Sequence, residues 1–127
     1  MSHTLHRYAE KMAVVRLGPG ADVPAWATSA TLFSVTATAS ETSLVCGYAD
    51  VPKKARPQGP FTAFAVEGPL DFSLTGVLSV LLAPLTEEEI SVFTLSTFDT
   101  DWILVGADAA DRAEEAWRRS GHDVIPS

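Results

Sequence analysis

The sequence has little cysteine and no long apolar run, and both absences narrow the class of protein. Cys46 is the only cysteine among 127 residues, so the chain cannot form an internal disulfide and nothing favours an oxidising compartment. No apolar stretch approaches the roughly 20 residues that a membrane-spanning helix needs. The first twelve residues lack the apolar segment of a secretory signal. We therefore expect a cytoplasmic protein with no membrane partner.

Positive charge is also scarce. Nine Lys and Arg residues stand against 16 Asp and Glu residues, which gives a net charge of -7 and a pI near 4.7. Binding to nucleic-acid phosphates needs clustered basic side chains, so this balance argues against a nucleic-acid partner. The one basic cluster, Lys53, Lys54 and Arg56, lies among prolines and glycines. We interpret residues 51–60 as a solvated linker.

Groupings typical of catalytic and metal sites are missing. The sequence shows no Ser–His–Asp or Cys–His order, and the acidic residues form no positioned acid–base pair. Asp99 and Asp101 have the spacing of a metal-binding pair, but two carboxylates without further ligands make an incomplete shell. We expect no catalytic residue, no metal and no cofactor, and hence no enzyme. A small enzyme on the same scaffold stays as a distant alternative.

The composition that is present, 46% apolar and 20% charged residues, is that of an ordinary globular protein. In the first half, apolar and β-branched segments predict strands at 12–17, 33–38 and 42–46. We expect a flexible N-terminus at 1–11, a first half at 12–56 and a second half at 57–127. The three tryptophans are interpreted as packing residues rather than as ligand platforms.

The second half has a clearer pattern. Residues 61–67 predict a strand, and apolar residues spaced by three and four from Leu74 predict a helix that ends at Ala83, before Pro84. Strands follow at 90–95 and 101–105, then a helix capped by Asp108, and a final edge strand at 122–125. This order predicts an α+β fold: a ferredoxin-like βαββαβ antiparallel sheet with both helices on one face.

The two halves resemble each other. Residues 33–46 align without gaps on residues 92–105, and each segment follows a strand that ends in Gly-Pro. The first half is about nine residues shorter at the place of the first helix, which is roughly two and a half helical turns. It is therefore interpreted as a degenerate copy with a stunted helix, with chance similarity as the alternative.

Two segments have residues suited to binding a small molecule. Residues 68–76, GPLDFSLTG, lead from a strand into the first helix, where Asp71 or Ser73 can cap it. The free N–H groups of such a helix start suit a carboxylate, and Gly76 suggests a close approach to the backbone. Residues 96–101, STFDTD, join two strands and carry hydroxyls and carboxylates suited to an ammonium group. The alternatives are a capped helix packed on a strand and an ordinary turn.

These two segments give the sequence a resemblance to the ACT-domain family. The matching pattern is Gly68, Leu70, Phe72, Thr75 and Gly76, followed by Ser96, Thr97, Thr100 and Asp101. Within the family the chain is similar to the CASTOR arginine sensors and to the regulatory ACT domains of aspartate kinases. In the first half, Glu41, Ser43 and Val45 match a weaker T-x-x-E-x-S-x-V segment. The first half thus resembles a degenerate ACT-like half before an ACT domain.

The resemblance implies a regulatory module that binds a free amino acid between its two halves or at a dimer interface. It implies a homodimer and a regulated protein partner, and it identifies neither the amino acid nor the pathway. A ligand-free assembly subunit with the same fold is the alternative function. The ligand-binding residues that the resemblance implies are Gly68, Asp71, Phe72, Ser73, Leu74, Thr75, Gly76, Ser43, Leu44, Val45, Ser96, Thr97, Thr100 and Asp101.

Overall fold

A computed structural model gives the structure of the protein and describes residues 2–71 and 75–127. The chain divides into two compact units: unit 1 contains Met1–Ala9 and Thr62–Ser127, and unit 2 contains Glu10–Phe61. The described strands and α-helices are β1 (Thr4–Leu17), β2 (Ser34–Ala37), β3 (Thr42–Gly47), β4 (Gln58–Val66), α1 (Val77–Glu87), β5 (Val92–Ser96), β6 (Asp101–Gly106), α2 (Ala110–Arg119) and β7 (Asp123–Pro126).

Unit 1 has the expected α+β fold, a sheet with the two α-helices packed on it. Its strands lie in the order β7–β1–β4–β6–β5, so β4 and β6 are neighbours in the centre, as the sequence predicted. Phe64, Val66, Ile103 and Val105 belong to one buried core with residues of both helices. Alternate residues of each strand point to this core, which is the period expected for a sheet covered on that face.

The expectation of a flexible N-terminus is wrong for most of residues 1–11. Strand β1 begins at Thr4, and in unit 1 it lies between β4 and β7. Leu5 is fully buried in the core, and Glu67 donates its backbone N–H to the Thr4 carbonyl. The polar residues of this segment made it look flexible. One of them, Arg7, pairs with acidic side chains of α2, which are remote in the sequence.

The centre of the unit 1 core is Trp117 on α2. Its ring is fully buried and meets Phe64 edge-on at 4.8 Å between ring centroids. Its indole N–H donates to the Leu81 carbonyl of α1 at 2.8 Å, so the polar atom of this large side chain is satisfied. The packing role expected for Trp117 is confirmed.

Helix α1 continues past the position where the sequence predicted its end. Pro84 lies inside the helix, and Leu85 packs from the helix itself rather than from a following turn. Pro84 removes only one N–H, and its own carbonyl still accepts from Glu88. Leu81 and Leu85 are fully buried four residues apart. Their burial holds the last turn in helical geometry against the local preference before proline.

The start of α2 also differs from the prediction. Asp108 lies in a short 3-10 helix, Ala107–Ala109, and the α-helix begins at Ala110 with no side-chain cap. The 3-10 turn leads directly into α2, so the first α-helical turn follows without a capping side chain. At the other end, Gly121 has φ 89°, as expected for a glycine just past a helix.

Unit 2 is a small sheet of β2, β3, the later part of β1 and the start of β4. Its core consists of Ala13, Val15, Ala27, Leu44 and Cys46, and the Cys46 thiol is buried. Unit 2 is described throughout and contains no α-helix. The segment Pro24–Ala27 forms a turn, and the predicted linker contains the exposed 3-10 helix Lys53–Ala55 before β4 begins at Gln58.

A partly buried carboxylate organises the loop before β2. Glu10 accepts hydrogen bonds from the Ser29 hydroxyl at 2.9 Å and from the Thr31 backbone N–H at 3.0 Å. Burial opposes the charge of Glu10, but these hydrogen bonds outweigh it and lower the pKa of the carboxyl group. The ionised carboxylate is therefore stabilised in the folded protein.

We expect Glu10→Ala to lower the free energy of unfolding by about 2 kcal/mol, because it removes hydrogen bonds to a charged group. The lowered pKa means that this contribution is complete above the ordinary value near 4.5 and is lost as the pH falls through the folded-state value. Urea unfolding at pH 7 and pH 3 measures both effects. Asp22→Ala, at an exposed acidic residue of the same unit, is the control. Equal stability of wild type and Glu10→Ala at pH 7 would contradict the role of the carboxylate.

A buried histidine adds a second pH dependence. His122 is 3% exposed, its Nδ1 accepts the His3 backbone N–H at 3.0 Å, and the two rings stack at 5.8 Å. Burial lowers the pKa of His122, and the positive charges of His3 and the amino terminus lower it further, against the opposing effect of Asp123. The neutral ring is thus favoured in the folded state.

We expect the free energy of unfolding to fall as the pH drops below the ordinary histidine value near 6.5, because the unfolded chain takes up the proton first. Unfolding curves between pH 7.5 and pH 5 measure this loss, and His122→Gln should reduce its slope. A variant with the wild-type slope would show that His122 is not the group responsible.

Candidate functional site

A cavity of about 300 Å³ lies in unit 1, between the loop that leads into α1 and the turn that joins β5 to β6. This volume is at the lower end of the range for small-molecule pockets. The described residues that line it are Leu70, Asp71, Gly76, Val77, Leu78, Ser96, Thr97, Phe98, Asp99, Thr100 and Asp101.

One wall of the cavity is the start of α1. Gly76 is the N-cap residue, and Val77 and Leu78 of the first turn line the cavity beside it. The first N–H groups of an α-helix have no acceptor within the helix, and they carry partial positive charge. The expected cap by Asp71 is not present, because α1 begins at Val77 and has no side-chain cap. The alternative cap, Ser73, lies outside the described residues.

The role of Gly76 differs from the one expected for a first-turn residue. Gly76 has φ 78°, a left-handed conformation that glycine adopts without a steric penalty, and it precedes the helix. A Cβ atom added there would meet no described atom within 4 Å. The described backbone therefore makes no close approach at this point, and the positive φ is what favours glycine here.

The opposite wall is a tight turn from β5 to β6. Thr97 donates its backbone N–H to the Thr100 carbonyl at 2.8 Å and its hydroxyl to the same oxygen at 3.2 Å. Ser96 and Asp101 are paired across the two strands, and the Ser96 hydroxyl donates to Asp101 Oδ1 at 2.5 Å. The Thr97 hydroxyl also accepts the Thr100 backbone N–H, so this side chain bonds to the turn backbone in both directions.

The turn is tied to the loop that follows β4. The Leu70 backbone N–H donates to the Asp99 carbonyl at 2.6 Å, and the Thr100 hydroxyl donates to the Val66 carbonyl at 2.6 Å. A Cβ atom on Gly68 would lie 3.0 Å from the Asp99 carbonyl oxygen, so glycine permits this close contact. These contacts hold the two walls of the cavity together.

The electrostatics of the cavity are mixed in sign. Its described lining has three aspartates, Asp71, Asp99 and Asp101, and no Lys, Arg or His. The start of α1 supplies partial positive charge at the other wall. An isolated anion such as phosphate would meet the three carboxylates without a cationic partner. A small molecule with an anionic and a cationic end matches both walls.

The structure brings together part of the set of predicted site residues. Those that line the cavity are Asp71, Gly76, Ser96, Thr97, Thr100 and Asp101. Gly68 borders the turn, and Thr75 is exposed beside Gly76 without lining the cavity. Phe72, Ser73 and Leu74 lie outside the described residues. Ser43, Leu44 and Val45 lie on β3 of unit 2 and do not line this cavity, and Leu44 is part of the unit 2 core.

Five lining residues were not among the predicted set: Leu70, Val77, Leu78, Phe98 and Asp99. Phe98 and Asp99 lie within the segment that the sequence singled out, and Leu70 belongs to its ACT-like pattern. Val77 and Leu78 had only a core signal, the apolar stripe of α1. These two residues line the cavity because they directly follow Gly76, the N-cap residue of α1. The sequence did not predict this, because it did not locate the start of α1.

Among the described residues no helix is long and apolar enough to cross a membrane. The same part of the chain contains no group of three or more His, Cys, Asp or Glu side chains placed to hold a metal ion.

Comparison with known proteins identifies a domain in the second half of the chain. Residues 58–119 match the sequence model of the ACT domain, and residues 10–54 match a second model, described as an N-terminal domain. Residues 58–119 thus form an ACT domain, as the resemblance implied. A comparison with curated proteins gives no match.

Solved structures share the fold. The crystal structure of protein Atu0741 from Agobacterium tumefaciens has a TM-score of 0.90 and 28% identity, covering 100% of this chain and 95% of that one. VC0802 from Vibrio cholerae, described as a protein of unknown function and possible transport protein, has a TM-score of 0.75 and 15% identity, covering 94% and 90%. Aspartate kinase from Clostridium acetobutylicum has a TM-score of 0.63 and 10% identity, covering 87% and 33%.

The tie between the cavity walls gives a stability prediction. Thr100→Val keeps the shape of the side chain but leaves the Val66 carbonyl without its hydroxyl donor. We expect a loss of about 1 kcal/mol in the free energy of unfolding and faster hydrogen exchange of the Leu70 amide. Thr94→Val, at an exposed position of β5, is the matched control. Wild-type exchange of the Leu70 amide in Thr100→Val would contradict the tie.

Proposed function

We propose that the protein is a regulatory module that binds a free amino acid in the cavity of unit 1. The observation that carries the proposal is the pairing of a helix start with an aspartate-lined wall around a cavity of about 300 Å³. A free amino acid is a zwitterion whose ammonium and carboxylate groups are both attached to the α-carbon. The ACT domain at residues 58–119 supports a regulatory, ligand-binding role.

The two walls suggest how the ligand is oriented. Its α-carboxylate would accept N–H groups at the start of α1, at Gly76, Val77 and Leu78, since these groups lack intrahelical acceptors. Its α-ammonium would meet Asp101, whose carboxylate is half-buried and already oriented by the Ser96 hydroxyl. The Asp99 carbonyl already accepts the Leu70 N–H, so it is a poorer partner for the ammonium group.

The remaining features of the proposal come from the composition of the chain and from its resemblance to ACT-domain proteins. We propose that the protein is not an enzyme, acts in the cytoplasm as a homodimer, and regulates a protein partner through contact. Residues 12–56 would form the degenerate ACT-like half and residues 57–127 the ACT domain. Ser43, Leu44 and Val45 stay predicted ligand residues from the first half.

One observation favours the second candidate, a ligand-free assembly subunit. The two walls of the cavity are joined by their own hydrogen bonds, Leu70 to Asp99 and Thr100 to Val66. These bonds join residues 66–70 to the β5–β6 turn through groups of the protein alone. A protein that uses the fold only for assembly would need no more than this.

A thermal-shift screen against the common amino acids at millimolar concentration separates the two candidates. A ligand at 100 times its Kd stabilises the folded state by about 2.7 kcal/mol, which raises Tm by several degrees in a chain of this size. We expect one chemical class of amino acid to respond. The absence of any response would favour the ligand-free subunit.

The responding amino acid then tests the site. Asp101→Asn keeps an acceptor for the Ser96 hydroxyl but removes the charge, so we expect calorimetry to show at least tenfold weaker binding. Asp108→Asn, at an exposed aspartate outside the cavity lining, should bind as wild type does. The α-amide and the N-acetyl form of the ligand should both fail to bind. Unchanged affinity in Asp101→Asn would move the site elsewhere.

A further inference from the structure

The outer edge of β2 is an open strand edge in unit 2. Among the described strands β2 pairs with β3 alone, and it ends the strand order. The Thr38 N–H donates to the Glu41 carbonyl, which places Thr36 and Ser34 in the hydrogen-bonded positions toward β3. The backbone N–H and C=O groups of Val35 and Ala37 therefore point away from the sheet.

This edge lacks two of the features that normally prevent pairing with another strand, charged side chains and prolines. Proteins protect open edges with charged side chains, prolines or bulges. Residues 33–40, FSVTATAS, contain no charged residue, no proline and no glycine. Phe33 is 45% exposed and Val35 is 43% exposed, so two large apolar side chains lie in solvent at this edge. The edge is thus suited to accept a strand.

Charge distinguishes which edge suits a second copy of the chain. Unit 1 carries four arginines and twelve Asp and Glu residues, a formal charge of −8, whereas unit 2 has five basic and four acidic residues, a formal charge of +1. Strand β5 also lies at a sheet end and is uncharged. Its pairing with a copy of itself, however, would bring two strongly acidic units together. Unit 2, which contains β2, has no such excess of like charge.

We propose that two copies of the chain associate through antiparallel pairing of their β2 edges. This inference rests on the homodimer proposed above and specifies its surface. A twofold axis at Val35 places Val35 opposite its symmetry mate and Phe33 opposite Ala37 of the other copy, so both exposed apolar side chains gain cover. The side chains of this segment are uncharged, so two copies of it face each other without a charge conflict. The strand is short and the interface small, so we expect dimerisation to depend on the protein concentration.

Charge substitution at Val35 tests the pairing. We expect sedimentation equilibrium to show a dimer for the wild type and monomers for Val35→Lys and for Val35→Glu, because each variant places like charges opposite each other. An equimolar mixture of the two variants should restore the dimer, since Lys then opposes Glu. Val92→Lys, at an exposed residue of the β5 edge, is the matched control and should remain dimeric. Circular dichroism checks that each variant is folded.

Three results would overturn the inference. The first is a wild type that stays monomeric up to about 1 mM. The second is a dimer that persists in both Val35 variants or is broken by Val92→Lys instead. The third is a mixture of folded Val35 variants that stays monomeric. Thermal-shift response to an amino acid is measured separately, so failure of the β2 interface leaves the proposed binding function open to its own test.

Discussion

The candidate site depends on the contact between the β5–β6 turn and the loop that follows β4. Two hydrogen bonds of 2.6 Å form it, from Leu70 to the Asp99 carbonyl and from the Thr100 hydroxyl to the Val66 carbonyl. Gly68 permits the close approach, because a Cβ atom there would press on the turn. Without this contact the aspartate wall would have no fixed distance from the start of α1. Ligand recognition by two opposite charges requires such a fixed distance.

The core of unit 1 explains why this contact forms where it does. Phe64 and Val66 of β4 and Ile103 and Val105 of β6 are buried together, so the two central strands are fixed side by side. The loop after β4 and the turn before β6 then emerge at the same end of the sheet. Trp117 completes the core from α2. Apolar burial thus places two polar segments next to each other.

The uneven charge of the chain connects the two proposals. The acidic unit 1 contains the cavity, where carboxylates suit the ammonium end of a ligand, whereas the nearly neutral unit 2 contains the unprotected β2 edge. Ligand binding and self-association would therefore use different units of the chain.

The sequence by itself determined the α+β class, the order of the strands and helices, and the two segments that line the cavity. These features depend on local periodicity and on glycine and proline signals, which a single chain segment carries. Residues 96–101 were recognised because hydroxyls and carboxylates are concentrated there. The start of α2 at Ala110 and the passage of α1 through Pro84 were not predicted, because 3-10 geometry and core burial override local preference.

Only the tertiary structure decided the role of β1 and the composition of the cavity. Taken alone, the polar residues of 4–11 predict a flexible segment. In the structure Arg7 pairs with acidic residues of α2 and Glu10 accepts a hydrogen bond from Ser29, and both partners are distant in the sequence. The lining by Val77 and Leu78 likewise follows from where α1 begins. Such positions depend on groups that are far apart in the chain and close in space. Local patterns contain no information about these distances, so the sequence shows which residues are suited to a ligand and the fold decides which of them meet.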